Sequence, residues 1–230
     1  MPHKIGWRKA VKDFYDQIAK RRAGFYNRPN TLASKFQDKV LEKVSSVLSS
    51  ERGSMLLDVG CGRGRYVSLL SSAGYTYVGV DISLGMLKIA RHNDDPLHSN
   101  HFVQVTAEQI PFKDKTFDSV ICIDLLHHLR SNGTREETIR ELARVAKSDG
   151  QIVIEIKNKV NVIYWLLSKF NPSPVAETVS LREILLFLKT LGFSRIEMKG
   201  VGFPVPTLSP LVLIVCTKRR HVGFNENLHS

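Results

Sequence analysis

LLDVGCGRGRY, residues 56–66, decides how this chain is read. An apolar run carrying one acid, Asp58, gives way to three glycines on alternate positions, Gly60, Gly62 and Gly64. A short apolar run bounded by turn residues suits a strand buried on both faces of a parallel sheet. Glycines directly after such a strand let the backbone adopt positive φ and approach a ligand closely. In an open α/β sheet, ligands gather at the carboxyl ends of the strands where strand order reverses, and the first strand-to-helix turn lies nearest that point. Residues 60–64 therefore read as the floor of a ligand site.

Working outward, β-rich runs alternate with helical ones. The expected strands are 55–60, 76–81, 101–106, 117–123, 151–156, 194–200 and 211–217, with helices near 64–72, 83–92 and 134–147. That alternation implies βαβ units and a parallel sheet. Thr134 with Glu137 reads as a capping box, and so does Ser180 with Glu183 ahead of the apolar run that stops at Gly192. The last two strands follow one another without room for a crossover helix, so they should pair antiparallel at one edge. Ahead of the glycine turn, apolar residues at helical spacing predict two amphipathic helices, 5–20 and 31–48, joined by the loop RRAGFYNRPN. The expected fold class is α/β, a Rossmann-like seven-stranded, mostly parallel sheet with an antiparallel C-terminal hairpin and helices on both faces. The expected division is an N-terminal helical lid (1–50), a ligand-binding domain (51–217) with a substrate-cap insertion (157–180), and a flexible basic tail (218–230).

Composition narrows the class. At 230 residues with 43% hydrophobic and 24% charged content the chain is globular rather than disordered. Its N-terminus has no apolar core of a secretory signal, and no run approaches the length of a membrane span, so a cytoplasmic protein is expected. Cys61, Cys122 and Cys216 are odd in number and scattered, which suggests neither a disulfide frame nor a metal site. The formal charge is +11, of which +7 falls in residues 1–50 and +3 in residues 199–230. Such basic ends suit a solvated surface or an anionic partner, RNA or phospholipid.

The spacing of the turn separates two cofactors. Dinucleotide sites show G-x-G-x-x-G, which cradles a pyrophosphate, whereas Asp58, Gly60, Gly62 and Gly64 follow D-x-G-x-G-x-G, with the third glycine one residue early. This pattern resembles the first motif of the class I S-adenosylmethionine (SAM) methyltransferases, of the type 11 group. DISLGMLKIA (81–90) resembles that family's D-x-S-x-x-M-L-x-x-A, and TAEQIPFKDKTFDSVICIDLLHHL (106–129) resembles its D-A-E-x-L-P-F-x-D-x-x-F-D-x-V. ELARVAKSDGQIVIEI (141–156) looks like the fifth helix and strand of the same fold. The likeness spans roughly residues 52–156 and continues weakly to 217.

The resemblance implies SAM as cofactor and S-adenosylhomocysteine (SAH) as product. It places Asp58, Gly60, Cys61, Gly62 and Gly64 around the loop, Asp81 on the ribose hydroxyls, and Ile82 and Met86 on the adenine. Ala107 and Glu108 would lie beside the adenine, and Ile123 and Asp124 would line the methyl-transfer cleft. Thr106 departs from the family's usual acid, so a backbone carbonyl or Glu108 would take the adenine amino group. Tyr15 and Tyr26 become lid contacts. For a hydroxyl acceptor, the candidate bases are Asp124, His127 and His128 at the end of the fourth strand; packing explains the two histidines equally well. Tyr164 and Trp165, rimmed by Lys157, Lys159 and Lys169, would cap the acceptor or form a plain core helix.

The leading expectation is methylation of a small-molecule, lipid-linked or sugar acceptor, with peripheral membrane contact through the basic charge. A tRNA methyltransferase of the wobble-uridine type is the alternative within the enzymes. A non-catalytic protein that keeps the cofactor fold as a scaffold is the alternative outside them. Either a monomer or a homodimer is compatible with the sequence.

Overall fold

The computed structural model describes residues 2–21, 32–49, 51–94, 100–130, 133–158, 179–203, 205–206 and 209–218. The expectations for the 22–31 loop with Tyr26, for the cap residues 159–178 with Tyr164, Trp165, Lys159 and Lys169, and for the tail beyond 218 lie outside the described residues.

Seven strands form one sheet in the order β3-β2-β1-β4-β5-β7-β6. They are β1 (Met55–Val59), β2 (Thr76–Asp81), β3 (His101–Gln104), β4 (Phe117–Cys122), β5 (Ala146–Lys157), β6 (Phe193–Val201) and β7 (Leu211–Lys218). β1 sits at the reversal of order, paired in parallel with β2 on one side and β4 on the other. β7 runs antiparallel between β5 and β6, so β6 again points the same way as β5. The antiparallel hairpin is present, as the short connection between the last two strands requires.

Helices cover both faces. α2 (Leu32–Val47), α3 (Val67–Ser72) and α4 (Leu84–His92) pack one side through Val40, Val44, Leu70, Leu87 and Ala90. α5 (Thr134–Val145) and α6 (Leu181–Thr190) pack the other through Ile139, Leu142, Ile184 and Leu188. The alternation of β1 explains why an apolar run can hold an acid: Leu57 and Val59 face the second layer, while Leu56 and Asp58 face the first. α1 (Pro2–Arg21) lies apart from both layers, against α4 and the carboxyl ends of the strands.

Three local readings change. The 134–147 helix ends at Val145, and β5 begins at Ala146, because Lys115 and Thr116 donate their backbone N–H groups to Arg144 and Val145 and start a ladder ahead of Gly150. Thr134 is the first helical residue, not the cap; Gly133, at φ 90°, holds the cap position and accepts from the Glu137 N–H. The glycine turn runs on to Tyr66 before α3 starts. Ser180 does cap α6 through the Glu183 N–H.

Candidate functional site

The first turn is built by hydrogen bonds that the sequence order hides. Gly60 and Cys61 donate their N–H groups to the Val80 carbonyl at 2.8 and 3.0 Å, which staples the end of β1 to β2. Asp81, at the tip of β2, accepts from the Gly62 N–H at 2.9 Å and the Ser83 N–H at 2.8 Å. One carboxylate thereby fixes both the glycine loop and the entry to α4. Gly62 has φ 54° and a Cβ there would meet nothing within 4 Å, so its backbone faces open space. Gly64 differs: its φ is 74°, and a Cβ would stand 3.1 Å from that of Ala90, so it lets α3 approach α4.

Above this floor lies a cleft with a cavity of about 200 Å³. Gly60, Cys61, Gly62, Asp81, Ile82 and Met86 form its floor and one end. Thr106, Ala107 and Glu108, following β3, form one wall; Ile123, Asp124 and His128, following β4, form the other. α1 closes the side with Trp7, Arg8, Val11 and Tyr15. Trp7, Val11 and Tyr15 recur every four residues, which keeps them on one helix face.

Three of the expected residues stand outside the cleft wall. Asp58 is buried beneath the loop, where Oδ2 accepts from the Tyr77 hydroxyl at 2.6 Å. Burial pushes its carboxyl up to about 7, against the opposing pull of that hydrogen bond. Gly64 serves the helix packing already described. His127 is turned away, into the 3₁₀ turn Leu126–His128, where burial and then the neighbouring Lys157 ammonium keep its imidazole well below the usual range and hence neutral.

Lys157, which sequence reasoning placed on the acceptor rim, stands partly buried in a cluster with Asp124 and His127. From the end of β5 its Nζ donates to His127 Nε2 at 2.6 Å and pairs with Asp124 Oδ1 at 2.7 Å. Loss of water around Asp124 would raise its carboxyl; Lys157 and the facing His127 outweigh this and hold it below the usual carboxylate range. Asp124 itself has φ 58°, a conformation disfavoured for a residue with a side chain, which turns its carboxylate toward the cleft. Asp124, His127 and His128 have the spacing of a metal-ligand group. The Lys157 ammonium already stands between the first two, where a cation would sit.

His128 faces the other way. Its Nε2 lies 2.7 Å from the Tyr15 hydroxyl, the rings meet edge to face, and its carbonyl accepts from Trp7 Nε1 at 2.9 Å. Arg8 pairs with Glu108 Oε1 at 3.1 Å, and Arg130 lies over the Trp7 ring at 4.3 Å. Asp16 accepts from the Ser83 hydroxyl and the Gly85 N–H at the start of α4. Trp7, Arg8, Arg65 and Tyr66 belong to the cleft without having been singled out. The last two were visible as the end of the opening stretch, and Trp7 as the first member of the four-residue series.

A strand-end acid holding a glycine turn, with an apolar shelf beside it, defines a nucleoside site. Comparison with known proteins decides which: residues 57–154 match the family model described as a methyltransferase domain. That segment resembles the class I SAM-dependent methyltransferases. The chain is 33% identical over 149 residues to demethylmenaquinone methyltransferase of Staphylococcus saprophyticus, covering 63% of this chain and 63% of that one. It is 31% identical over 166 residues to tRNA (carboxymethyluridine(34)-5-O)-methyltransferase of Arabidopsis thaliana, covering 72% of this chain and 37% of that one. The matches thus span less than two thirds of either relative's length. Magnesium protoporphyrin IX methyltransferase of Synechocystis PCC 6803, solved with bound SAH, shares the fold, with TM-score 0.70 at 20% identity over 92% of this chain and 100% of that one.

The residues present fit SAM. Gly62 leaves its backbone open to the cavity, and the buried Tyr66 hydroxyl has no partner among the described residues. Ile82 and Met86 offer an apolar shelf beside Asp81. When bound, SAM supplies a methyl group on a sulfonium leaving group, and the residues of the cleft would supply alignment and exclusion of water. Among the described residues, no helix is long and apolar enough to cross a membrane.

Proposed function

We propose that this chain transfers the methyl group of SAM to a small, largely apolar acceptor, free, lipid-linked or sugar-bearing, held against the carboxyl ends of β4 and β5. The seating of α1 carries this reading. Trp7, Val11 and Tyr15 close one side of a cavity of about 200 Å³, and bonds to His128, Glu108, Ser83 and Gly85 fasten the helix there. A chamber walled by a helix suits a compact acceptor better than a polynucleotide strand. α1 acts as the lid, opening to admit ligands and shutting water out. Exposed Phe203 and Val205 follow β6, which finishes at the same end of the sheet as β5, and this favours an acceptor presented by a lipid surface.

In this reading Asp81 orients the nucleoside and Ile82 with Met86 carries its base. Alignment alone can lower the barrier by about 7–11 kcal/mol. For a hydroxyl acceptor, His128 takes the proton through the Tyr15 hydroxyl, 2.7 Å from its Nε2, as the oxygen is methylated. His127 is not the base: Lys157 occupies its Nε2. Asp124, held ionised by Lys157, lines the same cleft and would supply negative charge toward the sulfonium.

The relative that acts on tRNA and the concentration of charge in residues 1–50 favour RNA as the second reading. Methyl-labelled SAM, incubated with the protein and fractionated cell extract, separates the two. Label in organic-soluble or small-molecule fractions is expected. Label confined to RNA would replace the first reading with the second.

A further inference from the structure

Asp124 and His128 line the cavity, whereas the side chain that links them, Lys157, does not. Lys157 is the last residue of β5, in register with Leu211 of β7, and its backbone is held on both sides. The next residue, Asn158, is 2% exposed; its N–H donates to the Pro210 carbonyl at 2.9 Å and its side-chain amide to the Ser209 carbonyl at 3.0 Å. From this fixed point the lysine reaches the turn that follows β4, where Nζ meets Asp124 Oδ1 at 2.7 Å and His127 Nε2 at 2.6 Å. An ammonium carries three donors and no acceptor, so one lysine can hold a carboxylate and an imidazole at once. With the His127 side chain 6% exposed, water competes little for that bond.

Two features of the cleft wall depend on this lysine. Asp124 keeps φ 58°, a conformation that a residue with a side chain holds only where its surroundings impose it. Lys157 stands nearer to that carboxylate than His127 does, 2.7 Å against 3.5 Å. The second feature is a tautomer. Because the ammonium can only donate, His127 Nε2 accepts and the ring proton sits on Nδ1. That fixes the ring packed at 3.9 Å against His128, which in turn meets the Tyr15 hydroxyl. We infer that Lys157 is a positioning residue for methyl transfer: it holds Asp124 and, through His127, the ring of His128 in the places from which they face an acceptor. This rests on the proposed methyl transfer and adds to it a residue that acts from outside the cavity.

Lys157→Met keeps the alkyl stem and removes the donors; Lys157→Arg restores a cation with donors. Each full-length variant is given saturating methyl-labelled SAM and the extract fraction that the wild type labels, beside calorimetric titration of SAH. Lys157→Met is expected to slow transfer by about thirtyfold or more while the Kd for SAH stays within about threefold, and Lys157→Arg to recover about a fifth or more of the wild-type rate. Asp124→Asn, alone and combined with Lys157→Met, completes a cycle: a double variant about as slow as the slower single one shows that the lysine works through the aspartate. Nitrogen NMR of the imidazoles reads the geometry in the wild type, with the His127 proton expected on Nδ1. The proposal is overturned if Lys157→Met transfers at the wild-type rate, if arginine recovers nothing, if the losses multiply in the double variant, or if the His127 proton sits on Nε2. The last result decides even where Lys157→Met fails to fold. A wild type that labels no fraction removes the methyl-transfer reading itself and this role with it, whereas label confined to RNA changes the acceptor and leaves the expected losses as they stand.

Discussion

At the scale of single residues, the two adjacent histidines have opposite fates. His127 packs against its neighbour's ring with a centroid separation of 3.9 Å and accepts from a lysine, while His128 meets Tyr15 at the cleft. The proposed proton transfer therefore belongs to the second. Tyr15→Phe and His128→Gln are each expected to lower kcat by roughly 10²-fold while the Kd for SAH stays within about threefold. His127→Gln should instead lower thermal stability, since it breaks the bond from Lys157. Steady-state kinetics beside SAH titration measures both. Asp81 stood out in the sequence as an acid ending a strand before a helix, and the structure places it on the floor of the cleft. What the sequence hid was that it fastens Gly62 and Ser83. The partners of Lys157 were hidden for a related reason: they lie 30 and 33 positions earlier, and only the parallel pairing of β4 with β5 brings them together.

At the scale of elements, the seam between α1 and α4 controls the cleft. A Cβ on Gly85 would stand 2.9 Å from that of Ala19 and 3.1 Å from Asp16 Oδ1. Alanine is the better helix former there by about 1 kcal/mol, so Gly85→Ala strains the seam without weakening α4 itself. The expected outcome is faster hydrogen exchange in residues 7–20 and a several-fold loss of SAH affinity, with Tm changed by no more than a few degrees. Exchange measured by mass spectrometry checks this. The helical periodicity of residues 5–20 announced α1 but not its docking partner, because the seam is made by a glycine and an aspartate that carry no hydrophobic signal. Strand positions were readable for the opposite reason: β1, β2 and β4 are buried on both faces and appear as largely apolar runs. The start of β5 was missed because Lys147, Ser148 and Asp149 resemble a turn while their backbone already extends the sheet.

At the scale of the whole molecule, buried acids couple stability to pH. Burial raises Asp58 and Glu155 to about 7, against ordinary values of 3.8 and 4.5. Between those limits the folded chain binds more protons than the unfolded one, so this stabilisation is complete below pH 4 and is lost as pH rises through 7. Each group accounts for roughly 2–3 kcal/mol between pH 5 and 8. Wild-type Tm should fall over that range, and Asp58→Asn, which keeps an acceptor for Tyr77, should flatten the fall by about half in a series of thermal melts. The order of the sheet carries one more consequence, for synthesis. β6 reaches the rest of the sheet only through β7, which follows it in the chain. On the ribosome, residues 193–201 therefore wait without a neighbour until 211–218 leave the exit tunnel and slide between them and β5. A chain truncated at residue 210 and released would hold five strands assembled and a sixth without a strand partner, a form on which chaperones and proteases would act.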